Sequence, residues 1–397
     1  MILDPKIRKR YVKLPGIVVY HDECPDGVTA AWIVLRGLDW RPSYYGSEPS
    51  VVPYQIWQEM NERTGLNILV VDLSFPKEAS DELYGRCNEF LIIDHHQTAA
   101  RNLSDCDYFI YGGSENTLSG AGMVKEIYEL DEDKFRFVDY VSDRDTWQNL
   151  LPDTKAINLA MSVKGVFGSP KTVEMFYSIY VLSDPKMCLA TLAKEGSVYL
   201  KYQEKLIHDL LYSMKVVNFD YTLKTEEGKE EKIHFPIAIL NASIIQSDTA
   251  NYILRHQSEI RKLREEDFPE FNFAIVYTFG DPTIDDNCGF RVRCENPCSI
   301  HREKDEPTTI GADDIAALFN GGGHARAAGF YCSAHEFFER TTELSDTHPK
   351  PLVVESTSSS IAHDCIKSKW FLFSSFLCIL YLVYIFSIDW LGESNLM

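Results

Sequence analysis

Positive charge is scarce in this chain of 397 residues. Lys and Arg total 39 against 59 Asp and Glu, a formal net charge of −20. A protein that grips long nucleic acid without sequence preference needs a basic face, so no long nucleic acid partner is expected. A short phosphorylated substrate, held by metals and a few arginines, stays open. The segment Met1 to Lys13 lacks the apolar core of a secretory signal. The ten cysteines lack the paired short knuckles of a zinc finger. Reduced thiols in a cytosolic setting are the expectation. Cys288, Cys294, Cys298 and His301 form the one grouping with a metal-site look. The first two flank a stretch that reads as a strand, so structural thiols are expected there.

Apolar residues are plentiful. Hydrophobic content is 45% and aromatic content 12%, as in a packed globular protein. The length predicts two domains plus extras, because single cores stop growing near roughly 250–300 residues.

The stretch that organises the chain is Phe90-Leu91-Ile92-Ile93-Asp94-His95-His96. Four apolar residues predict a short buried strand, and one carboxylate and two imidazoles then stand at its carboxyl end. Open α/β sheets place ligands at such ends. Ionisable groups there carry a desolvation cost that a metal would offset. The pattern recurs. Gly16–Tyr20 predicts a strand running into His21-Asp22-Glu23-Cys24-Pro25-Asp26-Gly27, with a helix over Val28–Leu38. Asn67–Val71 predicts a strand ending at Asp72, with a helix over Pro76–Cys87. Strand–helix alternation at this spacing implies right-handed βαβ units and a mainly parallel sheet. His21, Glu23, Asp26, Asp72, His95 and His96 should then converge on one edge.

Further on, Ser119 reads as the N-cap of a helix over Ala121–Leu130. A helix over Lys134–Ser142 runs into Asp143-Arg144-Asp145-Thr146-Trp147, and either aspartate could reach the same edge. Residues 170–215 carry helical spacing, and 216–233 read as a hairpin tip or loop. Strands are predicted over Pro236–Leu240, Phe271–Tyr277 and Gly289–Cys294, and a helix over Ile310–Phe319. Gly321-Gly322-Gly323-His324-Ala325-Arg326-Ala327-Ala328-Gly329 follows, and its exposed backbone N–H groups beside a His and an Arg suit a phosphate. Residues 341–369 read as a polar linker. Trp370 to Ile388 runs without a charged residue, long enough for a transmembrane tail anchor behind Lys367 and Lys369, with the catalytic part in the cytosol.

The expected organisation is thus α/β. It comprises a flexible N-terminus (1–14), a mainly parallel-sheet domain (15–165), a helical connector (166–220), a smaller C-terminal α/β domain (221–340), a linker (341–369) and a transmembrane helix (370–388).

These residues resemble the motifs of the DHH phosphoesterase superfamily, whose members include RecJ-like and nano-RNase-like phosphohydrolases. Asp94-His95-His96 is similar to the motif that names the family. His21…Asp26-Gly27 resembles its first motif, Asp72 its second, the Asp143–Asp145 region its fourth, and Gly321–Gly329 the glycine-rich motif of the family's associated C-terminal domain. The resemblance covers residues 15–335.

It implies two divalent cations, Mn²⁺ foremost and Mg²⁺ as the alternative. It also implies hydrolysis of a phosphodiester or phosphoanhydride, in a short nucleotide-type substrate, by a metal-activated hydroxide in a cleft between two domains. His21, Glu23 and Asp72 would serve one metal. Asp26, Asp72, His95 and Asp143 would serve the other, with Asp145 as runner-up to Asp143. Asp94 would orient a ligand imidazole. His96 would meet the scissile phosphate. Gly321, Gly322, Gly323, His324, Arg326 and Arg293 would hold substrate, with His324 close to the chemistry. Glu23 departs from the family's aspartate, and Asp22 is the neighbouring alternative. The competing readings are an exopolyphosphatase or pyrophosphatase, and a membrane-tethered non-catalytic protein of the same fold. Homodimerisation is left open.

Overall fold

The computed structural model describes residues 16–37, 42–48, 50–112, 118–131, 133–224, 230–280, 287–295, 298–300 and 308–344. The chain opens with β1 (Ile17–His21), α1 (Pro25–Arg36), β2 (Ser43–Ser47), α2 (Tyr54–Glu62), β3 (Asn67–Val71), α3 (Lys77–Arg86), β4 (Glu89–Asp94), α4 (Gln97–Leu103) and β5 (Phe109–Tyr111). The five strands pair in parallel in the order β2-β1-β3-β4-β5. β1, β3 and β4 are central and apolar along their length, as buried parallel strands must be.

Alternation along these strands divides the core between the two sheet faces. Val18, Tyr20, Leu69, Val71, Leu91 and Ile93 pack with Trp32 and Ile33 of α1. Ile17, Val19, Ile68, Val70, Phe90 and Ile92 pack with Ile56 of α2 and Leu83 of α3. Each such side chain contributes about 1.5–3 kcal/mol on full burial. The strand order reverses between β1 and β3, so the crevice for ligands lies at their carboxyl ends.

Helices follow: α5 (Gly120–Ile127), α6 (Arg136–Asp145), α7 (Thr154–Val163), α8 (Pro170–Phe176) and the long α9 (Pro185–Leu211). The expected cap is present, because Ser119 Oγ accepts the Gly122 N–H at 3.3 Å. The second sheet takes β6 (Lys215–Lys224), β7 (Glu230–Asn241), β8 (Phe273–Phe279) and β9 (Asn287–Cys294), with α10 (Gln246–Arg255) and α11 (Gln257–Arg264) between β7 and β8. A small ribbon, β10 (Cys298–Ile300) and β11 (Thr308–Ile310), precedes α12 (Ala312–Ala317). Then come β12 (Gly322–His324), β13 (Ala327–Ser333), α13 (Ala334–Phe338) and β14 (Thr341–Glu343). The seven-stranded order is β12-β13-β9-β8-β7-β6-β14, antiparallel except for β7 beside β8. The stretch 216–233, read from its charges as a tip or loop, is mostly two long paired strands. Polar residues alternate there with buried Val217, Phe219 and Tyr221.

The membrane expectation is corrected. Among the described residues no helix is long and apolar enough to cross a membrane. α9 has the length, 27 residues, but carries Lys186, Lys194, Glu195, Lys201, Glu204, Lys205 and Asp209. The stretch 370–388, from which the tail anchor and its cytosolic orientation were drawn, lies outside the described residues, as does His301. The fold class that stands is α/β with an N-terminal parallel sheet.

Candidate metal centre

Three strand ends and two helix ends build the site. Asp72, directly after β3, has φ of 59° and is 1% exposed. Its N–H is held by the Ile93 carbonyl at 2.9 Å. The positive φ turns its carboxylate back over the sheet edge. Asp72 Oδ1 lies 3.2 Å from His95 Nε2, and Asp72 Oδ2 lies 3.5 Å from His21 Nδ1. Neither oxygen has a hydrogen bond of good geometry, and His21 Nδ1 and His95 Nδ1 are likewise buried without one. Burial alone would raise the Asp72 carboxyl, but His21 and His95 outweigh it and hold it well below the carboxylate range.

Asp26, in the first turn of α1, is fully buried. It accepts the Ser119 hydroxyl, and the Ala121 N–H reaches both its oxygens at 3.2 Å. Burial, then Asp72 and Asp145, push its carboxyl well up. Gly120 makes this approach feasible. A Cβ there would lie 2.6 Å from Asp72 Cβ and 2.9 Å from Asp26 Oδ2. Asp145, the last residue of α6, places Oδ2 at 3.3 Å from His95 Nε2. Its carboxyl too is raised, by burial first, against the neighbouring imidazoles.

Donor atoms of His21, Cys24 and Asp72 lie within 4.8 Å of one another, and so do those of Asp26, His95 and Asp145. Buried carboxylates crowd here around His21 Nδ1 and His95 Nε2. That arrangement is costly without a cation and fits one well.

Asp94 has a different task. One oxygen accepts the Ser74 hydroxyl at 2.6 Å. The other takes the His95 N–H at 2.7 Å and the His96 N–H at 3.1 Å, and it lies 2.6 Å from His96 Nδ1. Burial would raise Asp94, yet His96 brings it down to about 2. Burial would likewise lower His96, yet Asp94 lifts it to about 10. His96 is therefore a held cation with Nδ1 donating.

Several expected ligands do not come in. Glu23 is exposed with φ of 55°, away from the cluster. Its N–H goes to Asp22 Oδ1 at 3.0 Å, and Asp22 itself lies against Gly46 of β2. Asp143 is corrected as well. Its carboxylate accepts the Leu150 N–H at 2.8 Å, the Leu151 N–H at 3.0 Å and the Thr154 hydroxyl, which ties α6 to α7. Helical geometry turns residues two apart away from each other, so Asp143 and Asp145 cannot both face the cluster.

The glycine stretch is a hairpin, β12 with β13, seated on α4. A Cβ on Gly322 would touch Thr98 Cγ2 at 3.2 Å, and the Ala325 N–H meets Gln97 Oε1 at 3.3 Å. Gly323, with φ of 142°, admits only glycine. This seating stacks His324 on His96, with ring centroids 4.9 Å apart, and tilts it against His95 at 5.0 Å. Burial first, then the neighbouring imidazoles, lower His324 to about 2, so it is neutral. Arg326 is exposed. Arg293 on β9 lies over the Trp147 ring at 3.8 Å, and burial lowers it to about 9.

Four participants escaped the sequence reading. Cys24 stands three residues after His21, a spacing that could have flagged it. Its thiol is pushed well up by burial, then by Asp72, Asp145 and Asp26. Ser119 was read only as a helix cap, and Ser74 and Gly120 carry no local signal.

No family model matches the chain. An uncharacterised protein of Acanthamoeba polyphaga mimivirus is 22% identical over 380 residues, covering 89% of this chain and 79% of that one. Similar solved structures include a pGpG-specific phosphodiesterase, PggH, from Vibrio cholerae, at 15% identity and TM-score 0.36, covering 81% of this chain and 94% of that one. An uncharacterised protein from Helicobacter pylori has 15% identity and TM-score 0.33, over 80% and 93% of the two chains. CDC45 from Entamoeba histolytica has 9% identity and TM-score 0.36, over 84% and 95%.

Proposed function

We propose that this chain is a metal-dependent phosphoesterase that hydrolyses a phosphodiester or phosphoanhydride in a short nucleotide-type substrate. The observation that carries the reading is Asp72, a buried carboxylate with both oxygens lacking a good hydrogen bond, set between His21 and His95. His21 and Asp72, with Cys24 in reach, would hold one divalent cation. Asp26, His95 and Asp145 would hold another, and Asp72 faces both groups. Imidazole with carboxylate suits Mn²⁺, with Mg²⁺ the alternative. Bound cations of this kind supply charge neutralisation and an acidified water.

The chain's own groups do the rest. Asp94 keeps His96 cationic and aimed, so His96 can neutralise a phosphate oxygen and hold a proton for the leaving oxygen. Neutral His324 closes over it from the second sheet. Arg293 and Arg326 bring positive charge from the same side for the substrate's phosphates.

The test is product release by the full chain with Mn²⁺ from a panel of dinucleotide, cyclic dinucleotide, pyrophosphate and polyphosphate. Release that stops with His95→Ala is expected. No release from any of the four, with bound manganese equal in wild type and His95→Ala, sinks the proposal. Release from pyrophosphate or polyphosphate alone would place the chain among phosphoanhydride hydrolases.

A further inference from the structure

The turn between β1 and α1 carries two carboxylates and a thiol, and the thiol is the one that comes in. Asp22 and Glu23 are exposed, and the Glu23 N–H goes to Asp22 Oδ1 at 3.0 Å. Cys24 Sγ instead forms a group with one donor atom each of His21 and Asp72, all within 4.8 Å of one another. Close packing fixes this placement. A Cβ on Gly27 would lie 2.7 Å from His21 Cβ, so the first turn of α1 sits directly on the end of β1. Cys24 is the N-cap of that helix in extended conformation, and Pro25 starts the helix at once.

Most cysteines in protein interiors only fill space. Two observations set Cys24 apart. Asp72 is 1% exposed and neither of its oxygens has a hydrogen bond of good geometry, and His21 Nδ1 is buried in the same condition. The surroundings of the sulfur are polar as well: the carboxylates of Asp72, Asp145 and Asp26 lie around it, and the Gly27 N–H faces it. A helix N-terminus favours the thiolate, which is the form that binds metal. Three carboxylates oppose that anion, and a cation among them removes the opposition.

The two donor groups of the centre therefore differ in kind. Asp26, His95 and Asp145 offer carboxylate and imidazole, as suits Mn²⁺ or Mg²⁺. His21, Cys24 and Asp72 offer nitrogen, sulfur and oxygen, and the soft sulfur suits Zn²⁺. We propose that Cys24 Sγ ligates the cation at the first position, and that this position takes Zn²⁺ while the second takes Mn²⁺. The inference rests on the two-cation part of the phosphoesterase reading and is independent of what the centre hydrolyses.

The experiment has two arms, both on the full chain stripped of metal. In the first, Co²⁺ is added as a spectroscopic probe, one equivalent per chain. Wild type should show a thiolate-to-cobalt charge-transfer band in the near ultraviolet, and Cys24→Ser should lose it. In the second arm, Zn²⁺ and Mn²⁺ compete for the protein and bound metal is counted. Zinc outcompetes manganese at most donor sets, so the comparison between variants is the measure. Cys24→Asp returns the first position to imidazole and carboxylate, and its preference for zinc over manganese should fall by about tenfold or more relative to wild type. Thermal unfolding in chelator confirms that both variants fold.

No charge-transfer band in wild type, or a band that persists in Cys24→Ser, overturns Cys24 as a ligand. A band that depends on Cys24, with an unchanged zinc preference in Cys24→Asp, overturns the assignment of Zn²⁺ to the first position. A Cys24-dependent band and a fallen preference, in a protein that releases nothing from dinucleotide, cyclic dinucleotide, pyrophosphate or polyphosphate, mean that the ligand assignment holds while the phosphoesterase reading fails.

Discussion

His96 Nδ1 lies 2.6 Å from Asp94 Oδ1, and that one oxygen also takes the backbone N–H groups of His95 and His96. The carboxylate thus fixes the His96 imidazole and the backbone of both histidines from the strand beneath them, at positions a loop alone would leave free.

Asp94→Asn should release His96. In metal-free protein the ring titrates at about 10, and in the variant it should fall toward the ordinary value near 6.5. The depressed Asp94 contributes stability above its unfolded value near 3.9, and this is lost as pH falls toward about 2. The raised His96 contributes fully below about 6.5, and this is lost as pH rises toward about 10. The difference between wild type and variant should therefore be largest between about pH 4 and 6.5, at about 1–3 kcal/mol, since His96 is partly solvated. Imidazole proton shifts and chemical unfolding across pH read both effects.

Asp143→Ala and Asp145→Ala should fail in opposite ways. Loss of Asp143 strips the partners from the Leu150 and Leu151 N–H groups and the Thr154 hydroxyl, and should cost about 2–4 kcal/mol. Loss of Asp145 should leave metal-free stability within about 1 kcal/mol and remove most of the thermal shift produced by Mn²⁺. Melting curves with and without manganese distinguish them, and the reverse pattern would restore Asp143 as the ligand.

Metal removal should destabilise a site crowded with carboxylates. Wild type in chelator should melt lower than in excess Mn²⁺, by an amount corresponding to about 2.7 kcal/mol at a hundredfold excess over Kd. Asp72→Ala should be indifferent to manganese, because Asp72 faces both His21 and His95.

Gly120→Ala tests the close approach of α5. The added methyl would meet Asp72 and Asp26 at under 3 Å. Manganese affinity should drop by about tenfold or more, with a stability cost of about 1–3 kcal/mol. A variant that binds manganese like wild type would show that α5 can retreat without cost.

The parts of this molecule that could be read from the sequence are those where one physical demand fixes residue type. β1, β3 and β4 are apolar on both faces, and their ends carry His21, Asp72 and Asp94-His95-His96, so sheet, edge and cluster followed together. β2 was missed because Ser43-Tyr44-Tyr45-Gly46-Ser47 is a polar edge strand, and α4 and β5 because they are short. Helix phase decided the aspartates: Asp143 and Asp145 differ by two residues, and sequence does not say which side of α6 faces the cluster. Ser119 and Gly120 reach the site through tertiary approach alone. The glycine run was legible as special. Its small residues serve the hairpin's seat on α4, which composition cannot distinguish from a phosphate cradle.

Trp147 stands between two guanidinium groups, Arg144 of α6 at 4.1 Å and Arg293 of β9 at 3.8 Å. The indole is thus met by a cation from each sheet's territory. The ring is a built-in optical gauge. Emission from Trp147, isolated by replacing the other tryptophans with phenylalanine, will report the spacing of the two walls whenever a ligand enters or leaves.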